Sequence, residues 1–162
     1  MTNGTATWVA GVPAVPNPAA PRFQSLSVNP GELVAVTGPS ELVFPDYDGN
    51  GMFKSLGNIL VNADVGLLFI AMHGKPQRLR VNGTATVSRE DPLLALTVGA
   101  QLIVRVTARA IFPNCPRYIP TMQLIDPSIY APRPGCEPPE PAWKEFDNFR
   151  DCVHPRQPTF KG

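Results

Sequence analysis

The residues of this chain best suited to ligand chemistry lie in a short glycine-rich stretch, residues 47–55. It contains Gly49 and Gly51 and ends with Lys54 and Ser55, where a helix is predicted to begin. Free backbone N–H groups at a helix start, a hydroxyl and an ammonium group together favour an anion such as phosphate. The stretch therefore predicts a phosphate site. The alternative is an ordinary solvated first turn of a helix.

Two arginines form a second candidate group. Arg78 and Arg80 are two positions apart in an alternating segment, so both point to the same side of a strand. One hypothesis places a guanidinium group beside a bound ligand, and the alternative is a positively charged edge that faces solvent. Asn58, one helical turn after Lys54, is a further candidate ligand.

The cysteines and histidines, which often carry chemistry in proteins, form no further candidate site. Cys115, Cys136 and Cys152 are odd in number and form no C-x-x-C pair, which favours reduced thiols over a disulfide framework. His73 and His154 are each isolated from a second histidine or a carboxylate pair. We therefore predict no metal site and assign no catalytic residue.

Length and composition argue against several classes of protein, namely nucleic-acid-binding, membrane-spanning and secreted proteins. The chain has 162 residues, which suits one domain, and its net charge of +1 gives no basic field for nucleic acid. The longest apolar run, residues 65–72, is far shorter than the ~20 residues that cross a bilayer. No secretory leader is recognisable at residues 1–5. We expect a soluble, cytoplasmic protein that binds neither nucleic acid nor membranes.

The order of predicted elements favours a mainly β protein with a few helices. An Ala- and Pro-rich N-terminal arm occupies residues 1–32, and the ligand-binding domain occupies residues 33–122. A Pro-rich tail follows over residues 123–162, with a short helix predicted at 143–152. The predicted strands are 33–37, 41–44, 65–72, 78–87 and 101–112. In the last strand the alternation predicts an inward-facing set, namely Leu102, Val104, Val106, Ala108, Ala110 and Phe112. Short strands around one core favour a small β-barrel.

The principal helix is predicted over residues 52–62. Asn50 is the expected N-cap, because its side chain can accept a hydrogen bond from an unpaired N–H group. The apolar stripe expected to face the core consists of Met52, Leu56, Ile59 and Leu60.

Several segments in order resemble the pyridoxamine 5′-phosphate oxidase-related proteins. They are residues 44–59, 62–70, 78–83 and 113–119. The resemblance implies an FMN-binding split barrel and a homodimer with FMN at each subunit interface. It also implies that the flavin phosphate lies at the turn between strand and helix. Residues 1–32 lack the helix and strands with which such proteins begin, which predicts an altered or incomplete N-terminal part.

Matching positions imply a set of cofactor-binding residues. These are Lys54, Ser55, Asn58, Arg78 and Arg80. The implied function is a flavin-dependent oxidoreductase that acts on an unknown small molecule. The alternatives are a binding or sensor module for a flavin, deazaflavin or haem without turnover, and a degenerate family member. Pro120 stands where many relatives have histidine, and no dimerisation segment of a true pyridoxamine phosphate oxidase is visible, so oxidation of vitamin B6 is not the favoured reaction.

Overall fold

The computed structural model describes residues 34–71, 75–123, 125–126, 128–132, 135–136 and 138–152. The predicted N-terminal arm and both histidines lie outside these ranges. In chain order the strands and the α-helix are β1 (Ala35–Gly38), β2 (Glu41–Tyr47), α1 (Lys54–Val61), β3 (Asp64–Ala71), β4 (Gln77–Ser88) and β5 (Ala100–Asn114). Two 3₁₀-helices span Pro92–Leu96 and Ala142–Glu145.

All five strands form one antiparallel sheet in the order β1-β2-β5-β4-β3. The long strand β5 lies at its centre, between β2 and β4. The prediction of a mainly β protein is confirmed. The antiparallel sheet with one α-helix in the described ranges is also consistent with a split barrel.

One face of the sheet carries the core. Its buried members are Leu42, Leu79, Val81, Ala85, Val104, Val106, Ala108 and Ile111. The predicted alternation of β4 is confirmed, because Leu79 and Val81 are buried here while Arg80 between them is exposed. Leu56 and Ile59 pack against this cluster, so α1 covers the core face of the sheet.

A β-bulge changes the alternation of β5. Asn82 pairs with Ala110 but Gly83 pairs with Ala108, which leaves Arg109 as the extra residue. Beyond the bulge, the positions of β5 that faced the core now face outward, and the reverse. Ile111 is therefore buried while Ala110 and Phe112 are exposed. The prediction that Ala110 and Phe112 face inward is therefore wrong. The bulge depends on Gly83, because an added Cβ would lie 2.1 Å from the carbonyl oxygen of Thr107.

The start of α1 also differs from the prediction. The residue before the helix is Phe53, in the left-handed region at φ 46°, and no side chain caps the helix. The side chain of Asn50 instead accepts a hydrogen bond from the N–H of Met52 at 3.0 Å. It closes a turn ahead of the helix, so the predicted cap is wrong. Met52 and Leu60 are 57% and 76% exposed, which leaves half of the predicted apolar stripe off the core.

The C-terminal helix is shorter than predicted. Only Ala142–Glu145 is helical, and it is of the 3₁₀ type. Turns follow it as far as Cys152, and the ring of Trp143 packs edge-on against Phe149 with a centroid distance of 5.9 Å. Trp143 and Phe149 thus meet through turns rather than along a continuous α-helix.

Candidate functional site

The loop between β2 and α1 contains the glycine-rich stretch, and side chains from two other parts of the chain hold its beginning. The side chain of Gln101 donates to Asp46 Oδ2 at 2.8 Å and to the carbonyl of Tyr47 at 3.1 Å. Lys144 Nζ donates to the two carboxylate oxygens of Asp48 at 2.7 and 2.6 Å. Burial raises the pKa of Asp46, although the hydrogen bond from Gln101 acts in the opposite direction.

The three predicted ligands on α1 are exposed. Lys54 and Ser55 open the helix, and Asn58 follows one turn later. No acidic residue lies in the first turn, and Lys54 forms no ion pair within the described part of the chain. Within the described ranges, neither an acidic residue of the first turn nor an ion pair of Lys54 offsets the positive end of the helix dipole, an arrangement that favours an anion.

The two predicted arginines lie on the other face of the sheet. They alternate with the buried residues of β4 and so point away from α1. In the ladder, Arg80 lies between Leu68 of β3 and Phe112 of β5. Both of these apolar neighbours are partly exposed, by 48% and 38%. We call the surface formed by Arg78, Arg80, Leu68 and Phe112 the arginine face.

Arg78 has an unsatisfied donor. Its Nε is buried and donates no hydrogen bond within the described residues. A buried donor without an acceptor costs about 1–3 kcal/mol, and such groups in native proteins usually have a partner. Neither Arg78 nor Arg80 forms an ion pair within the described ranges. The arginine face thus carries two positive charges that no carboxylate of the described residues pairs, and one buried N–H group that lacks an acceptor there.

The five predicted ligands therefore form two groups within one chain. Lys54, Ser55 and Asn58 lie on the helix that covers the core face, whereas Arg78 and Arg80 lie on the opposite face. A single site that uses both groups has to reach round the β3 edge of the sheet or be built from two copies of the chain.

Arginines elsewhere on the sheet are already paired. Arg105 donates two hydrogen bonds to Asp91 and one to Glu41, at distances of 2.5, 3.1 and 2.7 Å. Hydrogen bonds from Arg105 lower the pKa of Asp91, and those it makes to Asp91 raise the pKa of Arg105. Arg109 pairs with Asp64. These contacts fit a structural role.

The sequence did not predict a cavity of about 390 Å³ beside the β2–α1 loop. Its walls come from Tyr47 and the loop on one side and from Tyr130, Trp143 and several prolines on the other. The aromatic and proline residues of the tail were visible in the sequence. Their contact with a loop more than 80 positions earlier was not, because it depends on long-range folding.

Two further findings concern the described ranges alone. There, no three or more His, Cys, Asp or Glu side chains come together in a group that could hold a metal ion. Nor does any helix in the same ranges have the length and apolarity that a membrane span requires.

No family model matches the sequence, and a search of the curated proteins finds no match. Solved structures do match. HupZ from Group A Streptococcus is 14% identical, with a TM-score of 0.42, over 51% of this chain and 69% of that one. A histidine-to-alanine variant of HupZ gives the same score and identity, with 74% of its chain covered. A candidate pyridoxamine 5′-phosphate oxidase from Lactobacillus delbrueckii is 23% identical, with a TM-score of 0.39, over 49% of this chain and 67% of that one.

Proposed function

We propose that this protein binds FMN, as a flavin-dependent oxidoreductase that works as a homodimer. The observation that carries the proposal is the buried, unpartnered Nε of Arg78 beside Arg80 and an exposed aromatic ring. Two guanidinium groups suit a phosphate or the carbonyl oxygens of a flavin ring. Leu68 and Phe112 provide the apolar surface on which a flat ring system packs.

The residues of the arginine face fit such a ligand. Arg78 and Arg80 would hold its polar groups, while Phe112 and Leu68 would orient the ring and exclude water from it. When bound, FMN supplies the electron-transfer chemistry, and the protein supplies position and electrostatics. The chain then needs no strong acid or base of its own.

The dimer is the second part of the proposal. Leu60 and Val61 of α1 are 76% and 92% exposed, and apolar side chains this exposed suit a contact with another subunit. A second copy is also the direct way to bring Lys54 and Ser55 of one chain to the arginine face of another. The phosphate would then lie at the start of α1 and the ring against the sheet of the partner.

The test is the FMN affinity of matched arginine variants, measured by quenching of flavin fluorescence. Arg78→Gln removes the charge of the half-buried arginine, and Arg89→Gln removes that of an exposed arginine in the turn after β4. A charge-assisted hydrogen bond is worth about 1.5–3 kcal/mol, so we expect Arg78→Gln to weaken binding roughly 10- to 150-fold. Arg89→Gln should bind as the wild type does. Equal affinity in all three proteins would contradict the proposal.

Turnover requires a separate measurement. We expect the FMN-loaded wild type to lose its yellow colour under anaerobic conditions with a reduced nicotinamide donor, and to regain it in air. A protein that binds FMN but keeps its colour with such donors and with candidate substrates would instead be a flavin carrier or sensor. A protein that binds no FMN would be neither.

A further inference from the structure

The cavity beside the β2–α1 loop has the size of a small-molecule site. Its volume of about 390 Å³ lies within the ~300–1,000 Å³ that is usual for such sites. One wall is Tyr47 with the loop that follows, and the opposite wall belongs to the C-terminal segment that contains Tyr130 and Trp143. Neither wall includes the arginine face or the start of α1.

The walls combine flat apolar surfaces with free donors. Tyr47, Tyr130 and Trp143 contribute aromatic rings, and four prolines also line the cavity. Within the described residues the two phenol hydroxyls and the indole N–H form no hydrogen bond. None of the three is a buried donor without a partner, and Tyr130 is 52% exposed, so these donors are open to solvent. They are therefore available to the acceptor atoms of a ligand that enters the cavity.

Asp48 is the one charged side chain among the described residues that line the cavity, and it is paired. The carboxylate of Asp48 lies in the wall, and both of its oxygens accept hydrogen bonds from Lys144. Glu140, which is outside the lining, also lies 3.7 Å from Lys144. The side chain of Lys144 is only 5% exposed, so this ion pair is largely withdrawn from solvent. Burial also raises the pKa of Tyr47 above its ordinary value of 10.0, which keeps its phenol neutral at physiological pH. The cavity therefore does not favour a strongly charged ligand.

From these observations we infer that the cavity is a binding site for a planar, uncharged heteroaromatic compound that carries hydrogen-bond acceptors. The ring lies between the aromatic and proline side chains, and a carbonyl oxygen or ring nitrogen accepts from Tyr130 or Trp143. The cavity shares the β2–α1 loop with the predicted phosphate site but is lined by none of the five proposed FMN ligands, and the inference does not depend on that proposal.

The test uses quinolin-2-one, a bicyclic ring with one carbonyl acceptor, and measures its binding by isothermal titration calorimetry. Gly49→Leu fills the cavity. A Cβ at Gly49 would have the carbonyl oxygen of Tyr47, at 4.0 Å, as its only close neighbour, so the backbone has no need to move. Gly57→Leu is the matched control, because Gly57 lies on α1, away from the cavity, with nothing within 4 Å of an added Cβ.

We expect saturable binding to the wild type and to Gly57→Leu, and at least a tenfold loss in Gly49→Leu. Absence of saturable binding to the wild type, or undiminished binding to Gly49→Leu, would overturn the inference.

Tyr130→Phe and Trp143→Phe keep a ring and remove a donor, and at least one should weaken binding roughly 2- to 10-fold. If both bind normally, the assignment of the donors is wrong. Arg78→Gln should leave this binding unchanged, and a loss there would show that the two sites are not distinct.

Discussion

The cluster around Arg105 and the arginine face lie on the same sheet but satisfy their charges differently. Arg105 gives three hydrogen bonds to Asp91 and Glu41, and one of these carboxylates is almost fully buried. Arg78 has a buried Nε with no acceptor, and neither it nor Arg80 has a carboxylate partner within the described ranges. In the first region the charges are paired within the chain, whereas those of the arginine face have no carboxylate partner in the described ranges, as the proposed ligand site requires. Substitutions should separate these roles.

The largest effect on stability is expected for Arg105→Met. The side chain of Asp91 is 5% exposed, and removal of its partner leaves an uncompensated charge there. Loss of one member of a buried pair costs about 3–5 kcal/mol, and the part of Arg105 that is exposed places this pair near the lower end. Urea unfolding measures the loss. FMN affinity of the folded protein should not change, and a large drop in affinity would break the contrast between the two regions.

A smaller loss is expected for Gly83→Ala, which tests how the arginine face acquires its aromatic ring. The added Cβ would lie 2.1 Å from a backbone oxygen, so the bulge must shift. Overpacking of this kind costs about 1–3 kcal/mol. Phe112 is on the arginine face only because of the bulge, so FMN affinity should fall together with stability. Unchanged values of both quantities would show that the bulge is not needed.

The bulge also shows where sequence reasoning stops. The alternation of β4 was predictable because Leu79, Val81 and Ala85 follow one period without interruption. In β5 the same rule fails after Ala108, since the extra residue is set by the close approach of Gly83 to the neighbouring strand. The five proposed ligands could be named from local motifs. Their distribution over two faces could not, because it depends on which face of the sheet α1 covers.

The pH dependence of stability should carry the signature of Asp91. Hydrogen bonds from Arg105 lower its pKa in the folded state, so its contribution is present above the ordinary value of 3.8 and is lost as the pH falls through the lower folded value. We expect Asp91→Asn to reduce the dependence of the free energy of unfolding on pH in the acid range, measured by urea titrations at several pH values.

Asp46 has a raised pKa, so its stabilising contribution exists at low pH and is lost as the pH rises. Asp46→Asn should therefore change the slope in the opposite sense, and equal slopes in both variants would contradict the assignment.

The smallest effect is expected for Lys54→Ala, because the lysine is exposed and solvent screens its charge. An exposed ion pair is worth about 0.2–1 kcal/mol, so the loss of the contact between Lys54 and the phosphate corresponds to a fall in FMN affinity of roughly 1.4- to 5-fold.

The arrangement of the site can then be tested by mixing subunits of Lys54→Ala and Arg78→Gln. If each site takes Lys54 from one chain and Arg78 from the other, a mixed dimer has one intact site and one doubly altered site. A population with wild-type affinity should then appear on mixing. If both residues of a site come from the same chain, round the β3 edge, every site in the mixture stays altered and no such population forms. This experiment therefore decides whether the start of α1 and the arginine face cooperate across a subunit interface.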